Sequence, residues 1–405
     1  MTTSAANIAL LLVGAGAAFV FFNPRLLKSR IWRATVTPLA SIIGSGFLVA
    51  GPILGHTAGT SAWLAMAGLC LMGYLFGAAI RHNIVHVQPG LGHGANPTAR
   101  VLERLSNLTL ALSYFISVAY YLTLFSAFGL RFVDMTNPAV IRIAATAVIA
   151  AAGLIGGFGG LRAMERVEVF TVGFKFCVIA GVIAALAVAM TNAIAGGSLL
   201  WRDTADAHGF NELRMILGLV ILVQGFETSR YLGAEYDAAE RVRTMKYAQW
   251  ISSGVYMVFI LLVTPHFAHG LPEQGGETAI IDMLRPVASI IAPALILAAL
   301  ASQLSAAAAD MNGSGGLLAE AAKTKLDVRF GNVITAVAAI AVIWVADIYE
   351  IIVWASKTFV AYYGLQALQA ALSSWRMKRH AEAAMYALLV ALAATIVAIA
   401  IPTGG

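Results

Sequence analysis

Apolar residues in this chain gather in long, nearly unbroken blocks. They do not alternate as in a strand, nor do they form the single stripe of a surface helix. Twelve blocks can be drawn, at 4–22, 35–57, 61–81, 107–130, 138–158, 167–190, 212–234, 247–268, 286–309, 331–347, 350–373 and 384–402. Each falls within the roughly 17–25 residues that carry a helix across the hydrocarbon core of a bilayer. The pattern therefore predicts an all-α polytopic membrane protein with about 12 transmembrane helices. The connections are short, and the two longest, 82–106 and 310–330, are read as loops. The second is expected to hold a short interfacial helix around Leu317, Leu318, Ala321 and Ala322.

Composition agrees with this picture and removes its rivals. Of 405 residues, 60% are hydrophobic and 11% are charged. A soluble core cannot absorb that much apolar surface, and disordered chains are polar and charge-rich. The net charge of +6 resolves along the chain into alternating loops. One set carries Arg25, Lys28, Arg30 and Arg33; then Arg81, Arg100 and Arg104; Arg162 and Arg166; Arg241, Arg243 and Lys246; Lys323, Lys325 and Arg329; and Arg376, Lys378 and Arg379. The other set is poor in basic residues and holds Asp134, Asp203, Asp206, Glu273, Asp282 and Asp347. By the positive-inside rule the basic loops are cytoplasmic and both termini lie outside a cell membrane, expected to be a bacterial inner membrane. The basic charge thus sets topology and does not indicate a nucleic-acid partner. The first block has no basic flank before it, so it is read as a retained span.

Little points to enzymatic chemistry. Cys70 and Cys177 lie inside apolar blocks and give neither a disulfide framework nor metal spacing. His82 and His86 share a helical face with His93 nearby, but they are placed in a loop with no acid close by, so no metal site is assigned. No Walker A, GxSxG or HExxH sequence occurs. No cofactor is expected.

Two spans carry glycines near their centres. The second reads Ser41-Ile42-Ile43-Gly44-Ser45-Gly46-Phe47, and the seventh reads Gln224-Gly225-Phe226-Glu227. They are five spans apart and run in opposite directions, as an inverted five-plus-five repeat requires. Unwinding at membrane depth frees amides for a carboxylate and carbonyls for an ammonium or cation, and it is tolerated only where it lines a cavity. Both spans are therefore expected to be interrupted. The alternative is that their glycines serve close helix packing.

These residues resemble the amino acid–polyamine–organocation (APC) superfamily. Ser41–Phe47 looks like its first core helix, and Gln224–Glu227 followed by Glu235, Arg243 and Thr244 like its sixth. The stretch Arg166–Lys175 is similar to its fifth. The resemblance spans about residues 33–375. It implies the LeuT-type fold, with one span added at each end of a ten-helix core. The domains expected are 1–32 (added helix and basic loop), 33–190 (first repeat), 191–375 (inverted second repeat) and 376–405 (final helix). It also implies that Lys175 takes the place of a sodium ion, reaching carbonyls near Gly44 and the hydroxyls of Ser302 or Ser305.

A lysine about 12 Å into a span is costly unless it faces the bundle interior. Lys175 is read as a proton-coupling group, with a structural amine or a snorkelling lysine as alternatives. Glu227 is read as the only acid in the middle of a span, binding a substrate amine or a proton. The competing reading is a Glu227–Arg230 pair that merely holds the helix. Tyr114, Ser117 and Tyr121 share a helical face and could line a cavity, and Phe226 could gate it. Lys357 is placed near a span end, and Trp201, Trp344 and Trp354 are read as interface anchors.

The function expected is secondary transport of a small amino acid, amine or related organic solute by alternating access, coupled to protons. Amides around Ser45–Phe47 would hold a carboxylate. Carbonyls around Ile43 and Gln224, with Glu227, would hold an amine, and Gly44, Gly46, Gly225, Phe226 and Tyr114 complete the site. One alternative is sodium coupling through Ala40, Ile43, Ser302 and Ser305. Another, of a different class, is a channel or a non-transporting sensor. The partners expected are the solute and the lipid bilayer, with monomer and homodimer both open.

Overall fold

The computed structural model describes residues 2–91, 97–158, 162–199, 201, 204–205, 208–267, 276–322 and 327–403. His93, Asp203, Asp206, Glu273, Lys323 and Lys325 lie outside these, as do the side chains of Ser45, Arg162 and Arg166. The described chain is helical, without strands. The helices are α1 (Thr2–Phe21), α2 (Pro24–Leu27), α3 (Arg30–Ala58), α4 (Ala62–His86), α5 (Pro97–Leu130), α6 (Pro138–Gly157) and α7 (Arg162–Ala195). They continue as α8 (Phe210–Leu217), α9 (Ala238–Phe267), α10 (Ile280–Leu284), α11 (Ile291–Ala321), α12 (Val328–Val345), α13 (Ile348–Arg376) and α14 (His380–Ile399).

Nine stretches of described residues are long and apolar enough to span a membrane, and one of them, Arg30–His86, contains both α3 and α4. The segment at 210–234 and α13 complete the twelve crossings that the sequence pattern predicts. Helix starts are chemically marked. Asn137 caps α6 by accepting the Ala139 and Val140 amides, with Pro138 at its first position. Asp347 and Glu350 form a reciprocal capping box on α13.

Two expectations fail on helix boundaries. The supposed loop at 310–330 is largely the end of α11, which runs to Ala321, so Leu317 and Leu318 belong to that helix and not to a separate interfacial one. Likewise α4 reaches His86 and α5 begins at Pro97, so most of 82–106 is helical. Polar residues mark loops only when they face water. Here Asn83, Ser106, Asn107, Asp310 and Ser314 are buried, against other helices.

A third expectation fails more consequentially, because α3 is unbroken through Gly44, Ser45 and Gly46. The reason is packing. A Cβ on Gly46 would lie 2.2 Å from the Tyr256 hydroxyl and 2.3 Å from the Leu222 carbonyl oxygen. The glycine cost of about 1 kcal/mol in a helix is offset by letting two backbones approach this closely.

Close approach recurs elsewhere. The added helix α1 lies on α7, where a Cβ on Gly181 would be 2.7 Å from the Leu10 carbonyl oxygen. Helices α11 and α12 cross at Gly315 and Gly331, whose added Cβ would stand 2.7 Å from the Gly315 Cα. Replacing Gly331 with leucine is expected to force these helices apart and to destabilise the protein by about 2 kcal/mol. An unaltered melting temperature in detergent would show that the crossing is not tight.

Candidate functional site

The seventh span is broken where its sequence predicts. A short 3-10 turn over Val220–Val223 ends at Gln224, which is extended (φ −76°, ψ 168°). Gly225 follows with φ 117°, and a second 3-10 run covers Phe226–Ala234. Such a φ favours glycine, and a Cβ here would also meet Ser41 Oγ at 2.5 Å and the Ile42 amide nitrogen at 2.7 Å. That run is kinked at Leu232 (φ −82°, ψ 17°), so it consists of two short 3-10 pieces, and 3-10 structure within a span often marks a hinge. Two neighbours hold the break open. Ser356 Oγ accepts the Ile221 amide at 2.9 Å. The Tyr256 hydroxyl stands between the Ile42 and Leu222 carbonyl oxygens, at 2.9 Å and 2.7 Å.

Glu227 is completely buried beside the break. Its Oε2 accepts the Gly225 amide at 2.9 Å and the Tyr363 hydroxyl at 2.8 Å. Its Oε1 has no hydrogen-bond partner, and neither has Oε1 of Gln224. Gln224 donates through Nε2 to the Tyr121 hydroxyl at 2.6 Å. Aromatic rings pack around the break, with Phe226 stacked on Tyr363 at 4.9 Å and Tyr363 on Phe76 at 5.4 Å. Tyr114 stands 6.0 Å from Phe359.

The competing reading, a Glu227–Arg230 pair, fails. Arg230 turns instead to Glu103 on α5, at 2.7 Å, and to Gln366 on α13, at 2.5 Å. Glu227 thus keeps no basic partner among the described residues. Nor is it the only buried acid at depth. Asp310, on the extended α11, is 1% exposed and accepts a hydrogen bond from Ser117. Ser117 and Tyr121 are one turn apart on α5, so that one face touches both Asp310 and Gln224. Tyr114 lies on the same face, against Gly313 of α11.

Sequence reasoning missed Asp310 because the apolar block ended at 309 and its hydrophilic neighbours looked like loop. Tyr363 and Gln366 carried no signal, being two polar side chains within an apolar stretch.

A second cluster occupies another face of α3. Lys175 of α7 is 4% exposed. Its Nζ donates to the Ala40 carbonyl at 3.0 Å and to Ser302 Oγ at 3.3 Å. Ser302 in turn donates to the Gly44 carbonyl at 2.5 Å, which Gln303 also approaches at 3.4 Å. The snorkelling alternative for Lys175 therefore fails. A small void beside this amine is lined by Ile43, Gly44 and Phe47. Phe47 itself packs on Phe259 at 4.1 Å. Ser305 is half-buried one turn along α11.

Two cavities lie at opposite ends of the helices. One of about 520 Å³ lies where α5, α6, α12 and α13 face the acidic connections, with Thr123, Arg142, Glu277 and Tyr349 in its wall. Another of about 250 Å³ opens at the basic connections, lined by His86, Leu102, Gln369 and Arg376.

His82 and His86 are on α4, not in a loop, and Glu382 approaches His82 at 3.8 Å. No group of three metal-ligating side chains occurs among the described residues. Lys357 is half-buried on α13. Trp201, Trp344 and Trp354 are all exposed.

Residues 24–400 match a family model described as an APC superfamily transporter. An uncharacterized protein of Aquifex aeolicus (strain VF5) is 39% identical over 374 residues, which covers 91% of each chain. Among solved structures, a Na+-coupled sialic acid symporter in its substrate-bound outward-open state aligns with a TM-score of 0.56 at 14% identity, over 100% of this chain and 98% of that one. At that identity the likeness concerns the fold.

Proposed function

Because this chain belongs to the APC superfamily of transporters, we propose that it moves a small amino acid, amine or related organic solute by alternating access, coupled to protons. It is a multi-pass membrane transporter, not an enzyme, and its fold is the LeuT-type five-plus-five inverted repeat. Within that fold we assign 33–190 and 191–375 to the two repeats, with added helices before and after. The basic loops face the cytoplasm of a bacterial cell and both termini face outward.

The observation that carries the solute reading is the buried, base-free carboxylate at the break. Glu227 Oε1 and Gln224 Oε1 are enclosed and unpartnered. A buried acceptor without a donor costs free energy of about 1–3 kcal/mol, and an ammonium group supplies the missing donors. Asp310 offers a further carboxylate across the α5 face.

Coupling is assigned to Lys175. Its ammonium donates to Ala40 O and Ser302 Oγ, two of the oxygens a sodium ion would use in the alternative reading. Two cations do not share so small a space. In proteoliposomes, uptake is expected to collapse when the proton gradient is dissipated and to change less than about twofold when sodium is replaced by choline. Loss of uptake in choline would overturn proton coupling in favour of sodium.

A further inference from the structure

Arg230 is the largest charged side chain wholly enclosed by the protein, 1% exposed. It is three residues past Glu227, about 6 Å along a 3-10 helix. Its guanidinium makes a two-pronged ion pair with Glu103, at 2.8 Å and 2.7 Å. Gln366 Oε1 accepts a third N–H and also the Asn83 side-chain amide at 2.9 Å. The Arg230 carbonyl accepts from Arg241 at 2.7 Å and from Gln88 at 3.3 Å. Side chains from α5, α9 and α13, with Gln88 just beyond α4, therefore meet at one residue of the broken span, and Asn83 of α4 joins through Gln366.

The far side of this knot is a cavity. Gln369 lines the 250 Å³ space at the basic connections and donates to Glu103 Oε2 at 3.3 Å. Leu102, the neighbour of Glu103, lines it too. Glu103 is thus held by Arg230 on the side of Glu227 and by Gln369 on the side of the cavity. Glu103 therefore links Arg230 to the lining of this cavity.

We infer that the Arg230–Glu103 pair, braced by Gln366 and Gln369, is the lock that closes the solute chamber toward the basic-loop face. A bidentate arginine–carboxylate pair is directional and strong when desolvated, so it holds one arrangement and yields as a unit. The pair joins the end of the broken span to α5. Its opening frees the second 3-10 run while Gln224 and Gly225 serve as the hinge.

The inference rests on the transport reading, but its test needs no solute. Ser229 is fully buried between Glu227 and Arg230, and its hydroxyl is unbonded. Ser229→Cys, made with Cys70→Ala and Cys177→Ala, places a thiol in the buried turn between Glu227 and Arg230 with little change of volume. A membrane-impermeant maleimide is then applied to one face of reconstituted vesicles at a time. With Glu103→Gln the thiol is expected to react at least about tenfold faster from the basic-loop face, with no change from the other face. A tenfold rise corresponds to a population shift of about 1.4 kcal/mol. The exchanged pair Glu103→Arg with Arg230→Glu is expected to return the rate toward the slow rate of the parent, whose native pair is locked. Should Glu103→Gln fail to fold, Gln366→Leu removes only a neutral brace and is expected to give the same sidedness with a smaller rise. An unchanged rate in a folded variant, equal acceleration from both faces, or an exchanged pair as fast as Glu103→Gln would each overturn the lock. Accelerated labelling in a protein that transports no amine or amino acid would instead overturn the solute reading and leave the lock standing.

Discussion

Glu227→Gln is expected to weaken binding of a cationic solute at least about thirtyfold while leaving the protein folded. The substitution keeps the side chain's shape and one oxygen, which still accepts from the Gly225 amide and the Tyr363 hydroxyl. What it removes is the negative charge at the break. Losing one partner of a buried, hydrogen-bonded charge pair costs roughly 2–5 kcal/mol, and about 2 kcal/mol is a thirtyfold change in Kd. The measurement is ligand-induced stabilisation across amines and amino acids. A binder raises the melting temperature of the parent by mass action, and the variant should show little rise at the same concentration. An equal Kd for a cationic ligand would take Glu227 out of the site. A variant that melts much lower without ligand would mean that the carboxylate holds the break together.

Gly46→Ala is expected to be among the most damaging single-methyl changes at the described glycines. The new Cβ would lie 2.2 Å from the Tyr256 hydroxyl and 2.3 Å from the Leu222 carbonyl oxygen. A tyrosine can swing aside, whereas a backbone carbonyl moves only with its segment. Overpacking of this kind costs about 3 kcal/mol, and here the strain falls on the turn that leads into Gln224. Adding Tyr256→Phe should restore only part of the lost stability, since it removes the hydroxyl and leaves Leu222 in place. A fully restored melting temperature would assign the clash to the side chain alone. An undiminished one in Gly46→Ala itself would show that α3 and the broken span are not in contact there.

Much of this architecture is legible in sequence because a bilayer imposes blunt rules. Span length marks the long apolar helices, and a glycine followed by an acid marks the break at Gly225. The intramembrane lysine also lands where the resemblance puts it, beside Ala40 and Ser302. The failures share a cause. Gly44 and Gly46 resemble Gly225 in one dimension, yet the first two serve close contact and the third a φ of 117°. What separates them is the neighbour each backbone meets, which no single-chain pattern contains. Asp310 and Glu103 were hidden in the same way. Polar side chains past the end of an apolar block read as loop, although the helices continue and bury them. The partner of Arg230 lies 127 residues away in sequence, while local spacing favours Glu227, three residues away.

The continuous α3 bears on which half of a zwitterion this protein reads. Two facing helix breaks would offer amide hydrogens to a carboxylate and oxygens to an ammonium group. Here the amides from Gly44 to Phe47 belong to helix turns, while the atoms left over at the other break, on Glu227 and Gln224, are oxygens. At the break the unpartnered carboxylate and amide oxygens face no freed backbone amides of α3. On the proposed reading such a site would hold the positive end of a molecule more firmly than the negative one, so an amine is expected to compete on nearly equal terms with the amino acid from which it differs only by a carboxylate.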